Sequence, residues 1–160
     1  MRHAVLAAFT ALAAPVLLGA PAHAAMTVEE AEAILFDSHD ANGDDFVTPR
    51  ELEEFRSLAF AASDADGDGR ISAEEWKVFD PGFLNIAIER GLTMELADAK
   101  GETFARYDTS GDDHISDDEL TAAIFRDYVA VDEDDDGRLS RAEFARVRLV
   151  STLSASLQQQ

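Results

Sequence analysis

Asp64-Ala65-Asp66-Gly67-Asp68-Gly69-Arg70-Ile71-Ser72-Ala73-Glu74-Glu75 places carboxylates at positions 1, 3 and 5 of a twelve-residue stretch and closes it with Glu. Three further copies stand at 40–51, 108–119 and 132–143. Position 1 is Asp40, Asp64, Asp108 and Asp132; position 3 is Asn42, Asp66, Ser110 and Asp134; position 5 is Asp44, Asp68, Asp112 and Asp136. Position 9 is Thr48, Ser72, Ser116 and Ser140, and position 12 is Glu51, Glu75, Glu119 and Glu143. Position 8 is aliphatic each time, as Val47, Ile71, Ile115 and Leu139. A merely solvated acidic face has no reason to repeat that residue. Of 33 Asp and Glu residues, 21 fall inside the copies, so the repeat places the charge and solubility does not.

Oxygen-bearing side chains in alternation make a cage for a hard cation. Ca²⁺ takes about 6–8 oxygen ligands at roughly 2.3–2.6 Å. A loop of this length offers side-chain oxygens from positions 1, 3 and 5, the backbone carbonyl of position 7, position 9 often through water, and both oxygens of the closing Glu. Position 7 is Phe46, Arg70, His114 and Arg138, which would contribute carbonyls and not side chains. These, with the residues at positions 1, 3, 5, 9 and 12, are the candidate metal ligands. Position 6 turns sharply, which suits Gly69 and Gly137. Asp45 and Asp113 take its place in the other two copies, at a cost of order 1 kcal/mol for the left-handed backbone. Asn42 and Ser110 also remove one anionic ligand each, so loops 2 and 4 are expected to bind more tightly than loops 1 and 3.

The flanks repeat as well. Phe36, Phe60, Phe104 and Tyr128 lie four residues before each loop, and Leu52, Trp76, Leu120 and Phe144 follow each closing Glu. Such positions are the core-facing points of an entering and an exiting helix. On these features residues 27–150 resemble the EF-hand superfamily, with four calmodulin-like loops. The resemblance implies an all-α fold of helix–loop–helix units, with short β-bridges between paired loops and Ca²⁺ as the bound ion.

Loop starts at 40, 64, 108 and 132 are separated by 24, 44 and 24 residues, so the halves repeat with an offset of 68 and point to duplication of a two-loop unit. Only residues 52–63 separate loops 1 and 2, enough for one helix of roughly 18 Å shared by both loops. Loops at opposite ends of one helix cannot easily pair, and residues 120–131 impose the same limit on loops 3 and 4. Pairing is therefore expected across the halves, 2 with 3 and 1 with 4.

Elsewhere, Thr27 with Glu30 predicts a capping box for a first helix that carries Val28, Ala31, Ile34 and Leu35 on one face. Pro49 suits the first turn of the helix leaving loop 1. Pro81-Gly82 breaks the helix leaving loop 2; residues 83–90 form a short helix stopped by Gly91; and Thr93 caps a longer one that runs to Tyr107. Residues 151–160 read as a flexible tail, which confines the calcium-binding domain to 25–150.

The first residues differ from the rest. Met1-Arg2-His3 is a short basic start, Ala4 to Gly19 carries no charge, and Ala22-His23-Ala24 fits the small-x-small cleavage rule. The apolar stretch falls short of the roughly 20 residues of a membrane span. Residues 1–24 are thus expected to be a signal peptide and the protein to be exported, periplasmic or secreted. With no cysteine, the chain has neither disulfides nor thiolate metal sites nor cysteine-linked lipid anchors. A formal charge of −20 argues against nucleic acid or an anionic membrane as partner. Beyond the leader the histidines are His39 and His114, each beside or inside a loop, and no nucleophile motif accompanies them, so an enzyme is not expected. Sensors of the calmodulin type use Met-rich grooves. Here only Met26 and Met94 follow the leader, which favours a monomeric calcium buffer or a calcium-stabilised interaction module. The alternative is a sensor that docks on a target protein through an exposed apolar groove.

Overall fold

Helix boundaries in this chain are set by its loops. The structure, a computed structural model, describes residues 26–158, so the leader expected over 1–24 lies outside the described residues. Thr27 and Glu30 form the expected capping box and start α1 (Val28–His39), which ends at the first residue of loop 1. β1 (Phe46–Val47) lies within that loop, and α2 (Pro49–Ser63), with Pro49 in its first turn, carries the chain to loop 2. β2 (Arg70–Ser72) and α3 (Ala73–Val78) follow, and α4 (Leu84–Arg90) comes after the Pro81-Gly82 break. The second half repeats the first with α5 (Thr93–Tyr107), β3 (His114–Ser116), α6 (Asp117–Val131), β4 (Leu139–Ser140) and α7 (Arg141–Phe144). A final helix, α8 (Arg148–Ser156), closes the described chain. The result is the all-α fold expected, and no described helix is long and apolar enough to cross a membrane.

Pairing runs across the halves. β1 pairs antiparallel with β4, Val47 opposite Leu139, and β2 pairs with β3, Ile71 opposite Ile115. The cause is the one read from the spacing: α2 and α6 have 15 residues each, about 22 Å of helix, and hold the loops of one half at opposite ends. All four position-8 residues are completely buried, two at the centre of each ribbon. Two apolar clusters grow around them. Leu35, Phe36, Leu52 and Phe144 surround Val47 and Leu139, while Trp76, Tyr107 and Leu120 surround Ile71 and Ile115.

The flexible tail expected over 151–160 is not what forms. α8 occupies most of it, and Val150, Leu153 and Leu157 are buried in the first cluster. These residues fall at i, i+3 and i+7, one stripe of a helix, and the stripe packs on α5 and α1. Ser154 donates to the Glu32 carboxylate, and Arg90 donates to the Leu157 carbonyl at 2.9 Å. The domain therefore extends to Leu157 and does not stop at residue 150.

Two smaller expectations also change. Ile34 is 57% exposed, because the buried arc of α1 is centred between Leu35 and His39 and leaves Ile34 just beyond its edge. Thr93 is the first residue of α5 and not its cap. Gly91 adopts the left-handed conformation, and the Leu92 N–H reaches back to the Ala87 carbonyl at 2.8 Å. The chain thus turns from α4 straight into α5, with no extended residue from which a hydroxyl could cap. α3 is held on α5 by a reciprocal link. Trp76 Nε1 donates to the Lys100 carbonyl at 2.9 Å, and the buried Lys100 Nζ donates to the carbonyls of Lys77 and Phe79.

Candidate metal centres

Loops 1, 2 and 3 are each wound around their first aspartate, whereas in loop 4 Asp132 accepts, among the described residues, from Gly137 alone, through Oδ2 at 3.1 Å. In loop 2, Asp64 Oδ1 accepts from the N–H groups of Gly67 (2.9 Å) and Asp68 (3.1 Å), and Oδ2 accepts from Gly69 (2.9 Å). Asp40 does the same for Gly43, Asp44 and Asp45, and Asp108 for Gly111, Asp112 and Asp113. The position-5 carboxylate then accepts from the N–H of position 7: Asp44 from Phe46, Asp68 from Arg70, Asp112 from His114 and Asp136 from Arg138. At position 9 the hydroxyls of Thr48, Ser72, Ser116 and Ser140 cap the exiting helices. The closing Glu completes each capping box with Oε2 and reaches back across the loop with Oε1. Its partners there are the N–H groups of Asn42 for Glu51, Ala65 for Glu75, Ser110 for Glu119 and Glu133 for Glu143. A single residue thereby ties the end of the loop to its beginning.

This winding holds the carboxylates together in their charged form. Among the described residues, three groups have one ligand oxygen each within 4.8 Å of one another: Asp64, Asp66 and Glu75; Asp108, Asp112 and Glu119; and Asp132, Asp134 and Asp136. Loop 1 shows no such trio among the described residues, although Asp40, Asp44 and Glu51 stand at the positions that form the trio of loop 3. The N–H and hydroxyl of Ser72 hold the Glu75 carboxyl at about 2, and the N–H of Ser116 with its hydroxyl does the same for Glu119. Hydrogen bonds from the Ser140 hydroxyl and N–H likewise lower Glu143. Neither histidine joins the cages through its ring in this structure. His39 is buried against Phe55 at 3.7 Å between ring centroids, and burial lowers it to about 4. His114 Nδ1 lies 2.9 Å from the Asp112 carbonyl.

Backbone strain separates the loops differently from the expected order. Position 6 is left-handed throughout, with Asp45 at φ 65° and Asp113 at φ 63° as the expected strained residues. Position 4 is left-handed too, at Gly43, Gly67, Gly111 and Asp135, the last at φ 55°. Loop 4 therefore carries a strained aspartate of its own, and loop 2 is the one loop with glycine at both turns. The signal was present in the sequence as glycine at position 4 in three copies, and attention to position 6 alone missed it. Replacing Asp113 by Gly relieves one such residue and is expected to stabilise loop 3 by about 0.5–1 kcal/mol. A thermal melt of the metal-free variant checks this, and an unchanged midpoint would remove strain as the reason for any ranking.

Cations from the partner loop brace each ribbon. Arg141 reaches Asp37 at 2.7 Å and Asp45 at 3.1 Å and lies over the Phe36 ring, joining the exit of loop 4 to loop 1. Arg138 lies 4.0 Å over the Phe46 ring, and Arg70 sits 3.9 Å from Asp112 between loops 2 and 3. The charge repeat did not reveal these arginines, because their partners lie in the other half of the chain.

One observation tests whether an ion fits. Asp132 Oδ1 is buried and has no hydrogen-bond partner among the described residues, although it stands beside Asp134 and Asp136. A buried polar atom left unsatisfied costs about 1–3 kcal/mol, and more for a charged group. All-oxygen, carboxylate-rich surroundings match a hard divalent cation and no soft one.

The EF hand family model matches residues 55–80 and 129–147, which contain loops 2 and 4, the two with glycine at position 6. No curated protein matches the chain. EF hands imply calcium binding, and the chain is similar to that family over both segments, with the same loop winding repeated at 40–51 and 108–119.

Proposed function

We propose that this protein is an exported calcium-binding module whose four loops, 40–51, 64–75, 108–119 and 132–143, each hold one Ca²⁺. The ion would lie among the oxygens of positions 1, 3 and 5, the position-7 carbonyl, position 9 and the closing Glu. The unpartnered, buried Asp132 Oδ1 carries the reading, because a cation among the loop 4 carboxylates would compensate it where it stands. The module acts as a buffer or as a calcium-stabilised interaction unit. Outside the cell, affinities of order 10⁻⁴–10⁻³ M suffice. A calorimetric Ca²⁺ titration of the chain lacking residues 1–24 is expected to give a stoichiometry near four; absence of heat at millimolar Ca²⁺ would overturn the proposal. Amino-terminal sequencing of the exported protein is expected to begin at Ala25.

A second reading, the sensor, has one observation in its favour. An almost wholly apolar cleft lies between the two core clusters, lined by Phe55, Trp76, Phe79, Phe144, Val147 and Leu149. A dye that fluoresces on apolar surfaces discriminates the two. Brightening on calcium loading favours a docking groove, and dimming favours the buffer or module.

A further inference from the structure

The segments that carry the loops join head to tail. Thr48 and Glu51 close loop 1 and, as cap and third residue, also begin α2; Asp64 ends α2 and is the first residue of loop 2. Ser116, Glu119 and Asp132 play the same parts for α6, between loops 3 and 4. Neither helix contains glycine or an interior proline, so each is a stiff rod. Loop 2 is paired to loop 3 through β2 and β3, and loop 4 returns to loop 1 through β4 and β1. The path therefore closes: loop 1, α2, loop 2, ribbon, loop 3, α6, loop 4, ribbon, loop 1. The covalent route from loop 2 to loop 3 is by contrast broken at Pro81-Gly82 and at Gly91.

From this geometry we infer that the four sites are one coupled circuit and not two independent pairs, so that filling a site in either ribbon tightens the sites of the other. The inference rests on the calcium reading above. Closing loop 1 around an ion fixes Glu51, and Glu51 sits in the first turn of the rod whose far end is Asp64. The orientation that suits one site is thus imposed on the next. Two sites are coupled when both bias one shared element, and α2 and α6 are such elements. A cross-link reinforces the circuit. The Arg56 side chain, 6% exposed, lies midway along α2 and binds Asp117 at 2.5 Å and Glu53 at 2.7 Å. Asp117 is the first residue of α6, so the rod between loops 1 and 2 is fastened to the exit of loop 3.

Trp76 is a reporter already in place. It is the single tryptophan of the chain, follows the closing Glu75 of loop 2, and is buried in the second cluster, to which no loop 4 residue belongs. The experiment compares Ca²⁺ titrations of full-length wild type and Glu143→Gln, read by Trp76 fluorescence, with stoichiometry from calorimetry. The substitution removes the closing carboxylate of loop 4 and leaves the ribbon of loops 2 and 3 intact. The circuit requires the Trp76 midpoint to rise about fivefold or more, the lower end of ordinary site-to-site coupling. An unchanged midpoint, with the stoichiometry reduced and wild type still binding, would overturn the circuit and leave calcium binding in place. Wild type that gives neither a fluorescence change nor heat would overturn both. Should Glu143→Gln fail to fold by circular dichroism, Asp134→Ala keeps the capping box, removes the position-3 oxygen altogether and gives the same readout.

Discussion

Removing calcium with a chelator is expected to lower the thermal midpoint of this protein by some 20–40 °C. The size follows from linkage. In about 10 mM Ca²⁺, roughly a hundredfold the dissociation constant at the tight end of the proposed range, each site stabilises the folded state by about 2.7 kcal/mol, and four such sites contribute about 11 kcal/mol. For a domain of this size each kcal/mol moves the midpoint by roughly 2–4 °C. The loops explain why so much depends on the ion. They concentrate 21 carboxylates, three of the loops bring trios of carboxylate oxygens within 4.8 Å, and Asp132 Oδ1 is left buried without a partner. Without counter-charge that arrangement repels itself; with it, the same atoms hold the ends of six helices, all but α4 and α8 among those described. Differential scanning calorimetry with and without chelator measures the effect. A midpoint that does not move would show the metal to be incidental to the fold.

The second large effect belongs to the last helix. Leu153→Ala is expected to cost about 3 kcal/mol and about 6–12 °C, because Leu153 is fully buried where α8 meets α1 and α5, and truncation leaves a cavity. Chemical denaturation of the calcium-loaded protein gives the number. A loss below about 0.5 kcal/mol, the size of an ordinary surface substitution, would mean that residues 148–157 do not pack as a helix.

Much of the fold was legible because the loops are local machines. Each winding uses N–H groups within five residues of its first aspartate, plus one Glu eleven residues on, so a twelve-residue pattern contains nearly every group that shapes it. Helix starts follow for the same reason, since the position-9 cap and the closing Glu belong to the loop itself. The pairing scheme was legible through a length argument: twelve residues between loops leave room for one rod and no return. What was missed lay outside that reach. Ile34 looked buried by period alone, and only the position of the neighbouring helices shows the arc that α1 presents inward. Arg141 and Arg138 read as surface charge until the ribbon brought Asp37, Asp45 and Phe46 beside them.

The last ten residues state the difference most clearly. Ser151 to Gln160 has no loop, no strong cap and too few apolar residues to form a stable helix alone, so its sequence reads as a tail. In the structure the Val150, Leu153 and Leu157 stripe meets apolar faces of α1 and α5, which come from opposite halves of the chain, and burial there outweighs the cost of ordering the helix. The sequence by itself determined the four loops, the rods between them and the cross-half pairing, because those depend on spacing and on contacts within a dozen residues. Tertiary structure alone decided the fate of the carboxyl-terminal helix, the arginine braces, the orphaned Asp132 oxygen and the closure of the four loops into one ring, because each depends on groups brought together from distant parts of the chain.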